Sequence, residues 1–207
     1  KIDEHVGTTQ GEPGVIYVEG DLSSPRSLAA LQELENTLKD NPYVAKGVDG
    51  ELTLYAPTVL DFLGRVTTSE YARSRVQEVT GTAITDSDRD GLPDTQEQIK
   101  AVYDYIVERG IPLDETGLAY DVGQVRESFF HDTTGQESDA TQIIVALPGT
   151  REQSVVPRAK KALSEDLDLL RRVDTISHVG LTGSPFTRAA SLDATVRSLL
   201  TSLPIAV

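Results

Sequence analysis

Val15-Ile-Tyr-Val-Glu19, followed directly by Gly20-Asp-Leu-Ser-Ser-Pro25, joins a β-branched and aromatic run to a helix start. The run predicts a strand over 15–19. Ser24 offers an N-cap oxygen, and Pro25 takes the first helical position, where a missing N–H loses nothing. Leu28, Leu31, Leu34 and Leu38 then recur near the helical period, so the helix runs to about Asp40 and stops before Asn41-Pro42. Residues 43–48 and 52–55 supply strand residues on either side of Asp49-Gly50. Residues 15–56 therefore read as strand, helix, strand.

The same order returns near the other end of the chain. Residues 141–147 form a buried-strand pattern closed by Pro148-Gly149. Val155, Val156, Ala159, Ala162, Leu163, Leu167 and Leu170 mark one face of a single long helix reaching Arg172, and residues 175–182 return as a strand. Two βαβ units, over 15–56 and 139–186, predict an α+β fold of the ferredoxin-like split βαβ type. In it a four-stranded sheet carries helices on one face. Residues 1–14 form a polar, glycine-rich lead-in. Residues 57–138 read as a mostly helical insertion: Val59, Leu60, Phe62 and Leu63 mark one helix, Tyr71, Val76 and Val79 a second, and Val122, Val125 and Phe129 another. The strongest helix spans 95–109, with Ile99, Val102, Tyr103 and Ile106 on one face and Gly110 and Pro112 as its stop. Over 187–207, Leu192, Val196, Leu199, Leu200 and Leu203 give an increasingly apolar helix that leads toward a membrane segment.

Inside the insertion, Asp86-Ser-Asp88-Arg-Asp90-Gly91-Leu92-Pro-Asp94-Thr-Gln-Glu97 matches the EF-hand loop at positions 1, 3, 5, 6, 9 and 12. A hard cation needs six to eight oxygens, and alternating carboxylates on a tightly wound loop supply them. The pattern assigns Asp86, Asp88 and Asp90 as direct calcium ligands and Leu92 as a carbonyl ligand. Asp94 binds directly or through water, Glu97 binds with both oxygens, and Gly91 permits the turn. Five carboxylates face Arg89 alone, so calcium is expected to order the segment. Asp94 and Glu97 also read as a capping box for the helix beginning at Thr95. Pro93 lacks the N–H through which paired EF-hands bridge, and no second loop occurs, so the site resembles single extracellular calcium loops. Affinities there are on the order of 10⁻⁴ to 10⁻³ M.

Composition narrows the partners. The formal net charge is −14, from 33 Asp and Glu against 19 Lys and Arg. Such a surface repels phosphate backbones, and the absence of Trp removes the best stacking platform, so no nucleic-acid partner is expected. Acidic, lysine-poor surfaces suit proteins of high-salt organisms, where salt screens self-repulsion. No cysteine is present, which excludes disulfides, thiolate nucleophiles and cysteine-based zinc sites.

No catalytic set stands out. His5, His131 and His178 lack the motifs of a hydrolase or a zinc protease, and His131 beside Asp132 reads as a polar helix end. Residues 7–14 are glycine-rich but precede a strand, the wrong context for a phosphate loop. Asp114, Glu115 and Asp121, like Glu165, Asp166 and Asp168, read as solvated acidic faces. The chain is not expected to be an enzyme.

Val15-Ile-Tyr-Val-Glu-Gly-Asp21-Leu-Ser-Ser-Pro25, with the leucines to Leu38 and Asn41-Pro-Tyr-Val44, resembles the first extracytoplasmic loop of RND superfamily exporters. Ala140-Thr-Gln-Ile-Ile-Val-Ala-Leu147 and His178-Val-Gly-Leu-Thr-Gly183-Ser-Pro185 are similar to the corresponding second half of that loop. The likeness is strongest to the MMPL-like, hydrophobe-exporting branch and to archaeal, halophilic members. It implies a porter domain on the extracytoplasmic side of the cell membrane, handling lipid-like or amphiphilic small-molecule substrates in a proton-coupled exporter. Its implied partners are the other domains of the same transporter, with homo-oligomers possible within the family. The alternative reading of the same residues is a secreted, calcium-stabilised binding or adhesion module.

Overall fold

The computed structural model describes residues 11–132 and 139–202. Strand β1 (Glu12–Gly20) alternates as a half-buried strand must, with Ile16 and Val18 fully buried and Tyr17 outward. It starts three residues before the predicted strand: Glu12, Pro13 and Gly14 pair with Leu147, Ala146 and Val145. Gly14 belongs there because a Cβ would stand 2.5 Å from Leu147 Cδ1. Helix α1 (Pro25–Asp40) buries Leu28, Leu31, Leu34 and Leu38 as the spacing predicts. Ser24 occupies the N-cap, but its hydroxyl makes no capping bond. The turn is held by Ser27 instead, whose hydroxyl donates to Asp21 O at 2.7 Å.

Residues 43–55 correct the expectation of a full strand. Only the bridges Lys46 to Leu52 and Leu54 to Val145 form, with Tyr55 N–H donating to Ile144 O at 2.9 Å. Gly47 and Gly50 turn the chain between them, and Val48 sits fully exposed at the tip. Its β-branched side chain mimicked a strand residue in the sequence.

The insertion is helical, as expected. Helix α2 (Val59–Thr68) starts with a Thr58–Asp61 capping box, and α3 (Glu70–Thr80) ends on Gly81. Helix α4 (Gln96–Arg109) buries Ile99, Val102, Tyr103 and Ile106 and stops at Gly110. A hairpin of β2 (Ile111–Pro112) and β3 (Leu118–Tyr120) follows, which periodicity missed because its strands are too short to show any. Asp114 turns it, accepting from Thr116 N, Thr116 Oγ1 and Gly117 N, and these donors lower its pKa. Asp121 caps α5 (Val122–Ser128) in a box with Gln124. Both carboxylates are thus structural turn and cap residues.

Strand β4 (Phe129–Phe130) then pairs with β5 (Asp139–Leu147), sharing with Leu54 the edge position next to β5. The long helix expected after β5 is α6 (Val156–Asp166) plus the short turn α7 (Asp168–Arg171), interrupted at Leu167. Strand β6 (Ile176–Gly183) passes directly into α8 (Ser184–Ser202). Leu203 and the rest of 203–207 lie outside the described residues, as do His5 and residues 7–10 of the glycine-rich segment.

The four-stranded sheet is antiparallel in the order β4-β5-β1-β6. Strand β5 lies between β1 and the β4 edge, and β1 lies between β5 and β6. With the Leu54 bridge standing for the returning strand of the first unit, β5 splits that unit and β1 splits the second, broadly the ferredoxin-like arrangement. Ile16, Val18, Ile143, Val145 and Leu147 bury one face under α1 and α6, while Tyr17, on the opposite face, reaches His178 with ring centroids 6.0 Å apart. The core continues from this layer into Phe62, Val66, Val76, Ile99 and Ile106 of the insertion.

Candidate metal site

Residues 86–95 lie between α3 and α4, and Gln96 and Glu97 open α4. Two left-handed residues, Arg89 at φ 63° and Gly91 at φ 86°, fold the loop back on itself. Gly91 takes that conformation without the Cβ penalty that Arg89 bears. Three carboxylates hold the turn through its amides: Asp86 Oδ2 accepts from Gly91 N at 3.2 Å, Asp88 Oδ1 from Asp90 N at 3.4 Å, and Asp90 Oδ1 from Leu92 N at 2.8 Å. Leu92 and Pro93 are buried, and they share a cleft of ≈ 140 Å³ with Pro25, Leu28 and Ile99. The loop is thereby pressed onto α1 of the ferredoxin-like frame.

Among the described residues, Asp86, Asp88 and Asp94 bring one oxygen each to within 4.8 Å of one another. Asp86 Oδ1 is buried and has no hydrogen-bond partner. A buried carboxylate oxygen without a donor is costly, and more so beside two further carboxylates. Hard oxygens in this arrangement fit a hard divalent cation, which would satisfy Oδ1 and cancel the repulsion. Asp94 accepts from Thr85 Oγ1 at 2.5 Å and from Ser87 N and Oγ at 2.8 Å each, and these bonds, Thr85 first, hold its pKa below the ordinary carboxylate range.

The structure thus gathers three of the six expected ligand residues. Asp90 spends an oxygen on Leu92 N, and Leu92 has its side chain in the core. Glu97 is exposed in the first turn of α4, beside Thr80, Lys100 and Asp104 in a different cleft. The capping-box expectation for Asp94 and Glu97 is corrected. Thr95 is the N-cap, its hydroxyl accepting from Gln98 N at 3.3 Å, because Asp94 is already engaged by Ser87 and Thr85.

Gln98 was not singled out by sequence. Its Oε1 accepts from Thr85 N and Asp94 N, and its Nε2 donates to Thr85 Oγ1, so it staples the two arms of the loop. The Thr95-to-Gln98 spacing was the available signal, though the side chain turns to the loop rather than to the cap. Gln96 Nε2 donates to Asp21 Oδ2 at 2.9 Å and Ser23 Oγ at 3.1 Å, and Tyr103 OH to Leu22 O at 2.9 Å. The start of α4 is therefore fastened to the turn between β1 and α1.

His131 is a second correction. It follows β4 rather than ending a helix, and its side chain is buried between Tyr103 and Phe129. Nδ1 lies 2.6 Å from Asp139 Oδ1, and Nε2 lies 3.2 Å from Asp104 Oδ1. Burial opposes its charge, but the two carboxylates prevail and raise its pKa. Both ring nitrogens thus meet carboxylates. Glu165, Asp166 and Asp168 are likewise dispersed: they meet Lys161, Asn41 and Arg171 respectively. No protein-family model matches this chain, and neither the curated proteins nor the solved structures contain a match.

Proposed function

We propose that this chain is the extracytoplasmic porter domain of a proton-coupled RND-type exporter, clipped together by calcium at 86–97. The observation that carries the porter reading is the pairing of Gly14 with Gly183. The first strand and the last lie side by side, so the chain arrives and leaves at one end of the sheet. A domain inserted between two membrane helices needs that geometry. Helix α8 continues from β6 without a break, and Arg188 grips Glu12 at 2.6 and 2.9 Å while donating to Thr150 O at 2.8 Å. A displacement of α8 would therefore pull directly on β1 and on the turn after β5.

Among the described residues no helix is long and apolar enough to cross a membrane. The test is accordingly the full reading frame. Apolar segments of about 20 residues just before Lys1 and just after Val207 are expected. A secretion signal with further extracellular repeats would overturn the porter reading and favour the adhesion module.

Calcium is supported by the orphaned Asp86 Oδ1 within the acidic triad. When bound, the ion supplies charge neutralisation and oxygen coordination, not chemistry. Asp86, Asp88 and Asp94 would hold it, with Asp90, Glu97 and the Leu92 carbonyl as the remaining candidates. Since Leu92 and Pro93 anchor the loop on α1, ordering the loop would secure the insertion to the sheet domain. Calcium should raise Tm relative to chelator, at low salt and in molar salt alike; identical melting would overturn the site.

A further inference from the structure

Thr58 caps α2 and is 1% exposed, so its hydroxyl has to be satisfied within the protein. Its Oγ1 lies 3.1 Å from Glu35 Oε1 on α1 and 3.1 Å from Asp61 Oδ2 on α2, and it accepts from Asp61 N at 3.4 Å. Both 3.1 Å contacts join oxygen to oxygen, and each needs a proton between the atoms. The threonine hydroxyl has one. With both carboxyls ionised, one of the two contacts sets lone pair against lone pair at the buried Thr58 hydroxyl.

A proton on Glu35 resolves the conflict. The Glu35 carboxyl then donates to Thr58 Oγ1, Thr58 donates to Asp61, and the hydroxyl gives one bond and accepts two, its full capacity. Asp61 already holds a second donor, since its Oδ2 also accepts from Thr58 N at 2.7 Å in the first turn of α2, so the Thr58 hydroxyl turns to Asp61 and the added proton falls to Glu35. Glu35 has the opposite surroundings. Burial is the main influence and pushes its pKa up to about 7; Thr58 and Lys39 pull it down, while Asp61 and Glu51 add to the rise. Lys39 is engaged by Glu51 at 2.6 Å and so does little to neutralise Glu35.

We propose that Glu35, Thr58 and Asp61 form a proton-gated latch between α1 and the first helix of the insertion. A proton on Glu35 closes the latch. Its release to solvent sets two carboxylates against each other across one hydroxyl and frees the start of α2 from α1. The latch is independent of calcium and of the exporter reading, since neither enters the proton count.

The experiment is a carbon-detected NMR titration of the intact chain in chelator. The Glu35 carboxyl carbon should titrate with a midpoint near 7, and the Thr58 and Asp61 amides should move with that midpoint. In Glu35→Gln those two amides should lose their response to pH around neutrality. A Glu35 midpoint in the ordinary carboxylate range, or Thr58 and Asp61 amides that ignore Glu35, would overturn the latch. The wild-type titration decides this alone if the variant does not fold.

Discussion

Asp86 has its two oxygens in opposite situations: Oδ2 accepts from Gly91 N, and Oδ1 is buried with nothing to accept. Asparagine keeps the first contact and removes the charge. In chelator Asp86→Asn should melt no lower than the parent, whereas in calcium the parent's Tm should rise and the variant's should not. A variant that melts far lower in chelator would show that the carboxylate works without a cation. His131 carries the pH dependence at this scale. Its folded pKa is raised above 6.5, so its bonds to Asp139 and Asp104 contribute fully below about pH 6.5 and weaken as pH climbs through the higher folded value. His131→Gln should therefore be less stable than the parent near pH 6, with the gap narrowing toward pH 9. Denaturant titrations at the two pH values measure this; a gap independent of pH would assign the loss to packing alone.

Elements differ in how openly their sequences announce them. The helices α1 and α4 were legible because Leu28 to Leu38 and Ile99 to Ile106 repeat at the helical period and end on Asn41 and Gly110. The strands β5 and β6 were legible because each is long, with β5 closed by the turn at Pro148-Gly149. Residues 43–55 were misread because Tyr43, Val44 and Val48 have strand propensity, but Asn41 Oδ1 draws Tyr43 N into a turn and Val48 faces water. Tertiary pairing to β5 decides there, and propensity cannot see it. In the loop over 86–97, spacing located the acidic residues, yet only the three-dimensional arrangement selects Asp86, Asp88 and Asp94 as the convergent set and adds Gln98 as the staple of the loop. The loop offers a clean test of conformation against contact. A Cβ at Gly91 would meet nothing within 4 Å, so Gly91→Ala should cost only the left-handed penalty, about 1 kcal/mol by urea titration. A much larger loss would mean that the loop has rearranged.

The insertion is sewn to the sheet domain rather than appended to it, and that governs how the whole molecule unfolds. Phe62, Val76, Ile99 and Ile106 share one continuous core with Ile16, Leu31 and Val145. Tyr103 sits at the junction: it packs on Phe129 with ring centroids 4.4 Å apart, and its hydroxyl reaches Leu22 O in the turn between β1 and α1. Tyr103→Phe keeps the ring and removes that buried bond, leaving the carbonyl unsatisfied at a cost of about 1–3 kcal/mol. Were the insertion an independent unit, the loss would fall on α4 alone. With one core, Ile16 and Ile106 should exchange their amide hydrogens through the same global opening, and the substitution should speed both equally. Calcium should slow both by a common factor in the parent, because the loop it orders is anchored on α1. Exchange that quickens at Ile106 while Ile16 stays protected would divide the molecule into two cooperative units and remove the basis for a clip between them.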